Sequence, residues 1–246
     1  MTLTLTLLLL VSVLATSAIS GVLGMAGGMI LMAILVSTVS VSAAMLIHGA
    51  VQATSNGSRA WFLRSHIQWH ILPAYCLGAA VAFGGFSALT LVPDTGIVLI
   101  AIGLFPWLAR VLPKLRGLDV CHKPTAVVCG LVVTAAQLLA GASGPLLDVF
   151  YLNARLNRFE IIASKAFTQT LGHLLKLVYY GLIIGVTEDI AVAFYATAMA
   201  VAVVGTRLGT RLLEHWDDAR FRTVSGRIIL VIATVCLVKG VLDLLQ

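Results

Sequence analysis

The chain has 246 residues, of which 60% are hydrophobic and only 11% charged, with a formal net charge of +6. A soluble domain carries about 25% charged residues, so that class is excluded and a polytopic membrane protein is the default. Much of the positive charge gathers in 59–64, 110–123 and 207–227, clusters that read as cytoplasmic loops and helix ends and not as a nucleic-acid surface.

Residues 1–15 are apolar but lack a basic start, and no clear cleavage site follows, which predicts a first membrane helix over 3–23 instead of a signal peptide. The glycine run Gly24-Met25-Ala26-Gly27-Gly28 then interrupts the chain, and a short apolar piece, 29–39, follows it. Stretches of spanning length, about 20 residues, come next at 42–63, 69–90 and 95–112. The polar link 113–124 falls near the midpoint. Beyond it the order recurs: a span at 124–140, a second break Gly141-Ala142-Ser143-Gly144-Pro145, a short piece at 146–154, and spans at 159–185, 189–212 and 221–245. The expected organisation is a first repeat over 1–112, a cytoplasmic linker over 113–123 and a second repeat over 124–246.

Loop charges set the expected topology. If both broken segments crossed the bilayer, the basic clusters would be split between its two sides, against the usual bias. If each break turns back to the side it entered, the clusters share one side, and the loops near Asp94 and Glu188-Asp189, which lack Lys and Arg, share the other. The second arrangement leaves three full spans per repeat, an odd number, so the copies are inverted. The predicted fold is therefore an all-α polytopic membrane protein of two inverted repeats. Each repeat holds a broken, re-entrant segment and three transmembrane helices, giving seven or eight spans according to how the breaks are counted.

Inside these apolar segments a polar stripe occurs twice. His48, Gln52, Asn56 and Arg59 form one copy; Lys165, Gln169, His173 and Lys176 form the other, each 117 positions after its counterpart. Steps of four, four and three place each set on one helical face. The same offset aligns the two glycine breaks. Backbone that leaves helical geometry in a bilayer must be buried in protein or line a cavity. The glycines Gly24, Gly27, Gly28, Gly141 and Gly144 permit the turn and a close approach. Short helices starting near Met29 and Leu146 would aim N–H groups at an oxyanion, and Ser143 could add a hydroxyl. Packing glycines that merely let helices approach are the plainer alternative, and two breaks in register with two stripes weigh against it.

A charge at the centre of a spanning helix costs about 2.5–3.5 kcal/mol on insertion scales and needs a partner or a wet cavity. Lys176 has apolar neighbours for two turns on either side. Lys165 lies about two turns into its helix and either joins the site or snorkels to the interface, where Arg59 is expected as an anchor. Gln52 and Gln169 offer amide donors and acceptors to sulfonate or carboxylate oxygens, and His48 or His173 could titrate and couple proton movement. Asp148 either pairs with a basic residue or serves as a proton site. The cysteines Cys76, Cys121, Cys129 and Cys236 show no C-x-x-C spacing, so neither a disulfide framework nor a metal site is expected, and no cofactor.

Three pieces, Gly21-Val-Leu-Gly24-Met-Ala-Gly27-Gly28, Ala140-Gly-Ala-Ser143-Gly144-Pro145-Leu-Leu and the Lys165-to-Lys176 helix, together with length and two-copy arrangement, resemble the TauE/SafE family of sulfite and organosulfonate exporters. The resemblance implies a multi-pass permease of the bacterial inner membrane moving sulfite, a sulfonate or a similar small anion. The residues by themselves argue for a small anion with several oxygens, carried by a secondary transporter, with the bilayer and the substrate as partners and a homo-oligomer left open. One rival is an anion channel. Another is an intramembrane serine protease, since Gly141-Ala-Ser143-Gly144 fits the rhomboid G-x-S-G pattern with His173 as a base; it gives no reason for the stripe at His48, Gln52 and Asn56.

Overall fold

The computed structural model describes residues 2–23, 26–112, 118–185, 190–213 and 218–245. Within them every regular element is a helix: α1 Leu3–Leu23, α2 Ala26–Val36, α3 Val41–Phe62, α4 Leu72–Leu89, α5 Thr95–Val111, α6 Lys123–Ala140, α7 Gly144–Tyr151, α8 Arg158–Val178, α9 Val192–Leu213 and α10 Asp218–Leu244. Each expected span coincides with a helix to within a few residues. Both short helices start earlier than expected, α7 at Gly144 instead of near Leu146. The first short helix begins at Ala26, so Gly27 and Gly28 lie inside its first turn and not in the interruption.

Local signals explain the ends. Ser40 caps α3 by accepting from Ala43 N. Asn157 and Glu160 form a reciprocal capping box at α8, with Asn157 Oδ1 taking the N–H groups of Phe159 and Glu160. Proline stands in the first turn of α4, α6 and α7, where its missing N–H leaves no intrahelical bond unmade. Gly141 ends α6 with φ +70°, a left-handed cap that a Cβ would strain, and its N–H closes on the Gln137 carbonyl. After Val178 the α8 helix widens into a π-helical turn, Tyr179–Ile184. It is tied down by Tyr180 Oη donating to the Leu138 carbonyl at 2.8 Å and Tyr179 Oη to that of Leu91 at 2.7 Å.

Among the described residues four helices are long and apolar enough to cross a membrane: α1, α4, α6 and α9, over Leu3–Ser20, Trp69–Leu89, Lys123–Ala140 and Val192–Gly209. The α3 and α8 helices are as long but carry the polar stripes, which lower their hydropathy. Large apolar side chains point outward along α1 (Leu3, Leu7, Val11) and α10 (Val231, Val235, Val238), as lipid contact requires.

The helices pack in a crossed pattern. The strongest associations are α1 with α9, α4 with α6, α5 with α10 and α3 with α8. The offset of 117 turns the first pair into the second and the α3·α8 pair into itself, and it carries α5 onto the first part of α10. It likewise turns the contact of α2 with α10 into that of α7 with α5. Small residues set the closest approaches. A Cβ on Gly78 of α4 would strike the Val127 carbonyl of α6, and one on Gly130 of α6 that of Tyr75. Gly96 and Gly240 oppose each other in the same way between α5 and α10. Such contacts suit helices that lack a hydrophobic drive toward each other in lipid. Met29, Met32, Leu35, Met45 and Ile47 lie in the largest apolar cluster of the described residues, and Met32 and Met45 pack against Gly141.

Candidate functional site

The α3 and α8 helices lie side by side, which brings the two stripes together. Their 3.6-residue period buries His48, Gln52 and Asn56 on α3, and His173 and Lys176 on α8, while Gln169 and Lys165 are half-buried. The two imidazoles face each other with centroids 5.5 Å apart and planes inclined by 54°.

Lys176 is the centre of this arrangement and has no exposed surface, 0%. Its Nζ donates to His48 Nδ1 at 2.9 Å and to the Gly141 carbonyl at 3.1 Å. On its other side His48 Nε2 meets the Gly28 carbonyl at 2.9 Å. That oxygen can only accept, so the ring hydrogen is on Nε2 and Nδ1 is the lone-pair nitrogen, as its contact with the ammonium requires. A continuous run of hydrogen bonds thus joins α2, α3, α8 and the turn between α6 and α7. From the two breaks, the backbone atoms that the stripes reach are carbonyl oxygens, not the N–H groups expected from the short helices.

Gln137, one turn before Gly141 on α6, belongs to the same cluster and has no place in either stripe. Its Nε2 donates to the Gly141 carbonyl at 3.0 Å and meets His173 Nδ1 at 2.7 Å, while its Oε1 accepts from Ser143 Oγ at 2.6 Å. The signal for it was a lone amide in an otherwise apolar span, directly ahead of a glycine break. Ser143 and His173 are therefore bridged by Gln137, where a serine–histidine dyad would hold them in direct contact. The Ser143 hydroxyl hydrogen is also committed, so it is not the free donor expected.

The other site residues fall as follows. Gly24 lies outside the described residues. Gly27 serves packing, because a Cβ there would collide with the Thr16 carbonyl and with Ser20 of α1. Gly28 lies beneath the Gln52 amide, whose Nε2 would be 3.2 Å from an added Cβ. Gly144 is buried at the first residue of α7. Gln52 (8% exposed) and Asn56 (6%) make no hydrogen bond with any described residue. Neither is among the sealed, unpartnered side-chain groups of the described residues, which are the hydroxyls of Tyr75, Ser87, Thr134 and Tyr151, so both amides keep some exposed surface.

Lys165 is set apart. It forms an ion pair with Asp148 of α7, which resolves the two roles left open for that carboxylate in favour of pairing. Eleven residues separate it from Lys176, about 16 Å along the helix. The two lysines therefore do not act on one point.

The fold and this buried polar centre define a multi-pass α-helical membrane protein. The chain belongs to the TauE/SafE sulfite exporter family: the family described as Sulfite exporter TauE/SafE matches residues 8–235, nearly the whole length. That family consists of transporters and not enzymes, and it points to a small anion as the substrate class. No curated protein and no solved structure matches the chain significantly.

Proposed function

We propose that this protein is a secondary transporter of a small oxyanion, sulfite or an organosulfonate such as sulfoacetate, in the bacterial inner membrane. In this reading the chain is built of two inverted repeats, each a broken segment with three spans, and the substrate sits between the breaks. The crossed helix pairing supports the repeats, since the offset that superposes the stripes also exchanges the pairs α1·α9 and α6·α4.

The observation that carries the proposal is the setting of Lys176. A fully buried ammonium is costly unless its charge is balanced. Asp148 is taken by Lys165, and the hydrogen-bond partners of Lys176 among the described residues are neutral acceptors, His48 Nδ1 and the Gly141 carbonyl. An oxyanion supplies the missing charge. Gln52 and Asn56 offer unpaired amide N–H groups on the facing helix, with Gln169 one turn from His173. Each oxygen of a sulfite or sulfonate group can accept from one of these donors. In a lipid-enclosed site an anion that travels with a proton keeps the net charge unchanged, and the Lys176–His48 pair is where that proton would be held.

Counterflow tests the proposal. Purified protein in liposomes preloaded with sulfite, sulfoacetate, sulfate or acetate is diluted into labelled external anion. Transient accumulation of a sulfur oxyanion, stimulated by the internal pool, is expected. Uptake that the internal pool does not stimulate identifies a pore, and the absence of oxyanion movement removes the reading.

A further inference from the structure

The hydrogen bonds around Gln137 fix more than the shape of the turn. The Gly141 carbonyl can only accept, so the Gln137 atom 3.0 Å from it is the amide nitrogen. The hydroxyl of Ser143, 2.6 Å from the other end of the amide, then donates to Oε1. Both ends agree, and the amide has one orientation. Its second N–H hydrogen is directed at His173, where Nδ1 at 2.7 Å is closer than Nε2 at 3.4 Å. A ring nitrogen that receives a hydrogen bond uses its lone pair, so the hydrogen of this imidazole sits on Nε2.

We propose that Gln137 is a positioning residue that holds His173 in the Nε2–H tautomer, and that this N–H is a specificity-determining donor to one oxygen of the transported anion. The donor role rests on the transport reading above. The companion histidine cannot take it, because the Nε2 hydrogen of His48 is spent on the Gly28 carbonyl and its Nδ1 on Lys176. Among the described residues His173 is the imidazole of the pair whose N–H has no protein acceptor. Gly172 of α8 lies directly against the Gln137 side chain, 3.4 Å from an added Cβ to Gln137 Cγ, which places the amide beside the ring of the next residue. A fixed N–H with no charge of its own selects by geometry, which suits discrimination among oxyanions of equal charge.

The tautomer and the donor role are read separately. The full-length protein, labelled with 15N-histidine and embedded in lipid nanodiscs, gives long-range 1H–15N spectra that distinguish the two neutral forms. The His173 signals are assigned by their loss in His173→Gln. The wild type is expected to show the Nε2–H pattern, and Gln137→Met to show a mixture of forms. His173→Gln, whose amide places an N–H near the same point, should retain sulfite affinity within about threefold, while His173→Leu should lose about tenfold or more. A wild-type spectrum with the hydrogen on Nδ1 overturns the positioning role, and needs no variant to fold. Wild-type affinity in His173→Leu overturns the donor role. If the Nε2–H pattern is present and the wild type moves no oxyanion in counterflow, the transport reading falls and the donor role with it, while the positioning of the ring stands.

Discussion

Replacing Lys176 by methionine separates a transport role from a packing role. Methionine has nearly the length and volume of the lysine stem, and such swaps cost little in packing. The Lys176 Cε, which would be 3.3 Å from a Cβ on Gly49 of α3, keeps an equivalent neighbour. On the stability side, the Gly141 carbonyl still accepts from Gln137, so the one acceptor left unpaired is His48 Nδ1. A buried unpaired acceptor costs about 1–3 kcal/mol. Against it, the variant no longer strips water from an ammonium, an effect of several kcal/mol for an ion taken into the interior. The melting midpoint in detergent is therefore expected to hold or rise. On the functional side, a hydrogen bond between charged partners contributes about 1.5–3 kcal/mol, which at about 1.4 kcal/mol per decade is roughly ten- to hundredfold in affinity. The assay is equilibrium binding of labelled sulfite or sulfoacetate to purified Lys176→Met, with counterflow in parallel. A variant that melts like the wild type and binds either anion with unchanged affinity would refute the reasoning. Lys176→Ala discriminates less well, because the void it leaves destabilises by about 2–5 kcal/mol for reasons unrelated to charge.

The adjacent glycines of α2 should behave differently. Gly27→Ala forces a methyl into the Thr16 carbonyl and is expected to cost about 1–3 kcal/mol of stability, seen as a lower melting midpoint. Gly28→Ala meets only the movable end of Gln52 and should leave the midpoint nearly unchanged while weakening anion binding. Asp148→Asn strands the Lys165 ammonium and should destabilise by about 1–2 kcal/mol, between exposed and buried pairs. Adding Lys165→Met should recover most of that loss, which a double-mutant cycle measures, and anion affinity should stay near wild type. Burial and the neighbouring Asp119 charge push the Cys121 thiol up to about 11. Because the thiolate is the reactive form, maleimide labelling of a variant retaining only this cysteine should be slow at pH 7. It should then speed up about tenfold per pH unit until it levels off near that value; a plateau by pH 9 contradicts it.

The spacing of the stripes made much of the site legible. Steps of four, four and three can only mean one helical face, and two such faces in one small protein have strong reason to meet. What spacing does not carry is which polar groups satisfy one another. Lys165 and Lys176 belong to the same stripe, yet one is neutralised by Asp148 from α7 and the other is held by His48 from α3. That difference is three-dimensional. Gln137 escaped notice because a single amide on an apolar helix has no partner in sequence to mark its face. Its meaning comes from the left-handed turn at Gly141, which brings a carbonyl and a serine back within its reach. The start of α2 was misplaced for a related reason. Glycine disfavours helix in isolation, but Gly27 is needed where α2 passes the backbone of α1, and packing overrode propensity.

The crossed packing of the helices bears on how the chain assembles. Because α1 rests on α9 and α6 on α4, a cut in 113–117 would leave each fragment with a flank shaped for the other and no apolar cover for it. The two fragments should enter a membrane as separate polypeptides and knit into a working whole only when made together. For the same reason the packed units of the fold are not the N- and C-terminal portions of the chain. They are mixed pairs, α1 with α9 and α4 with α6, and the hydrogen-bonded seam of α3 and α8 ties the two portions together.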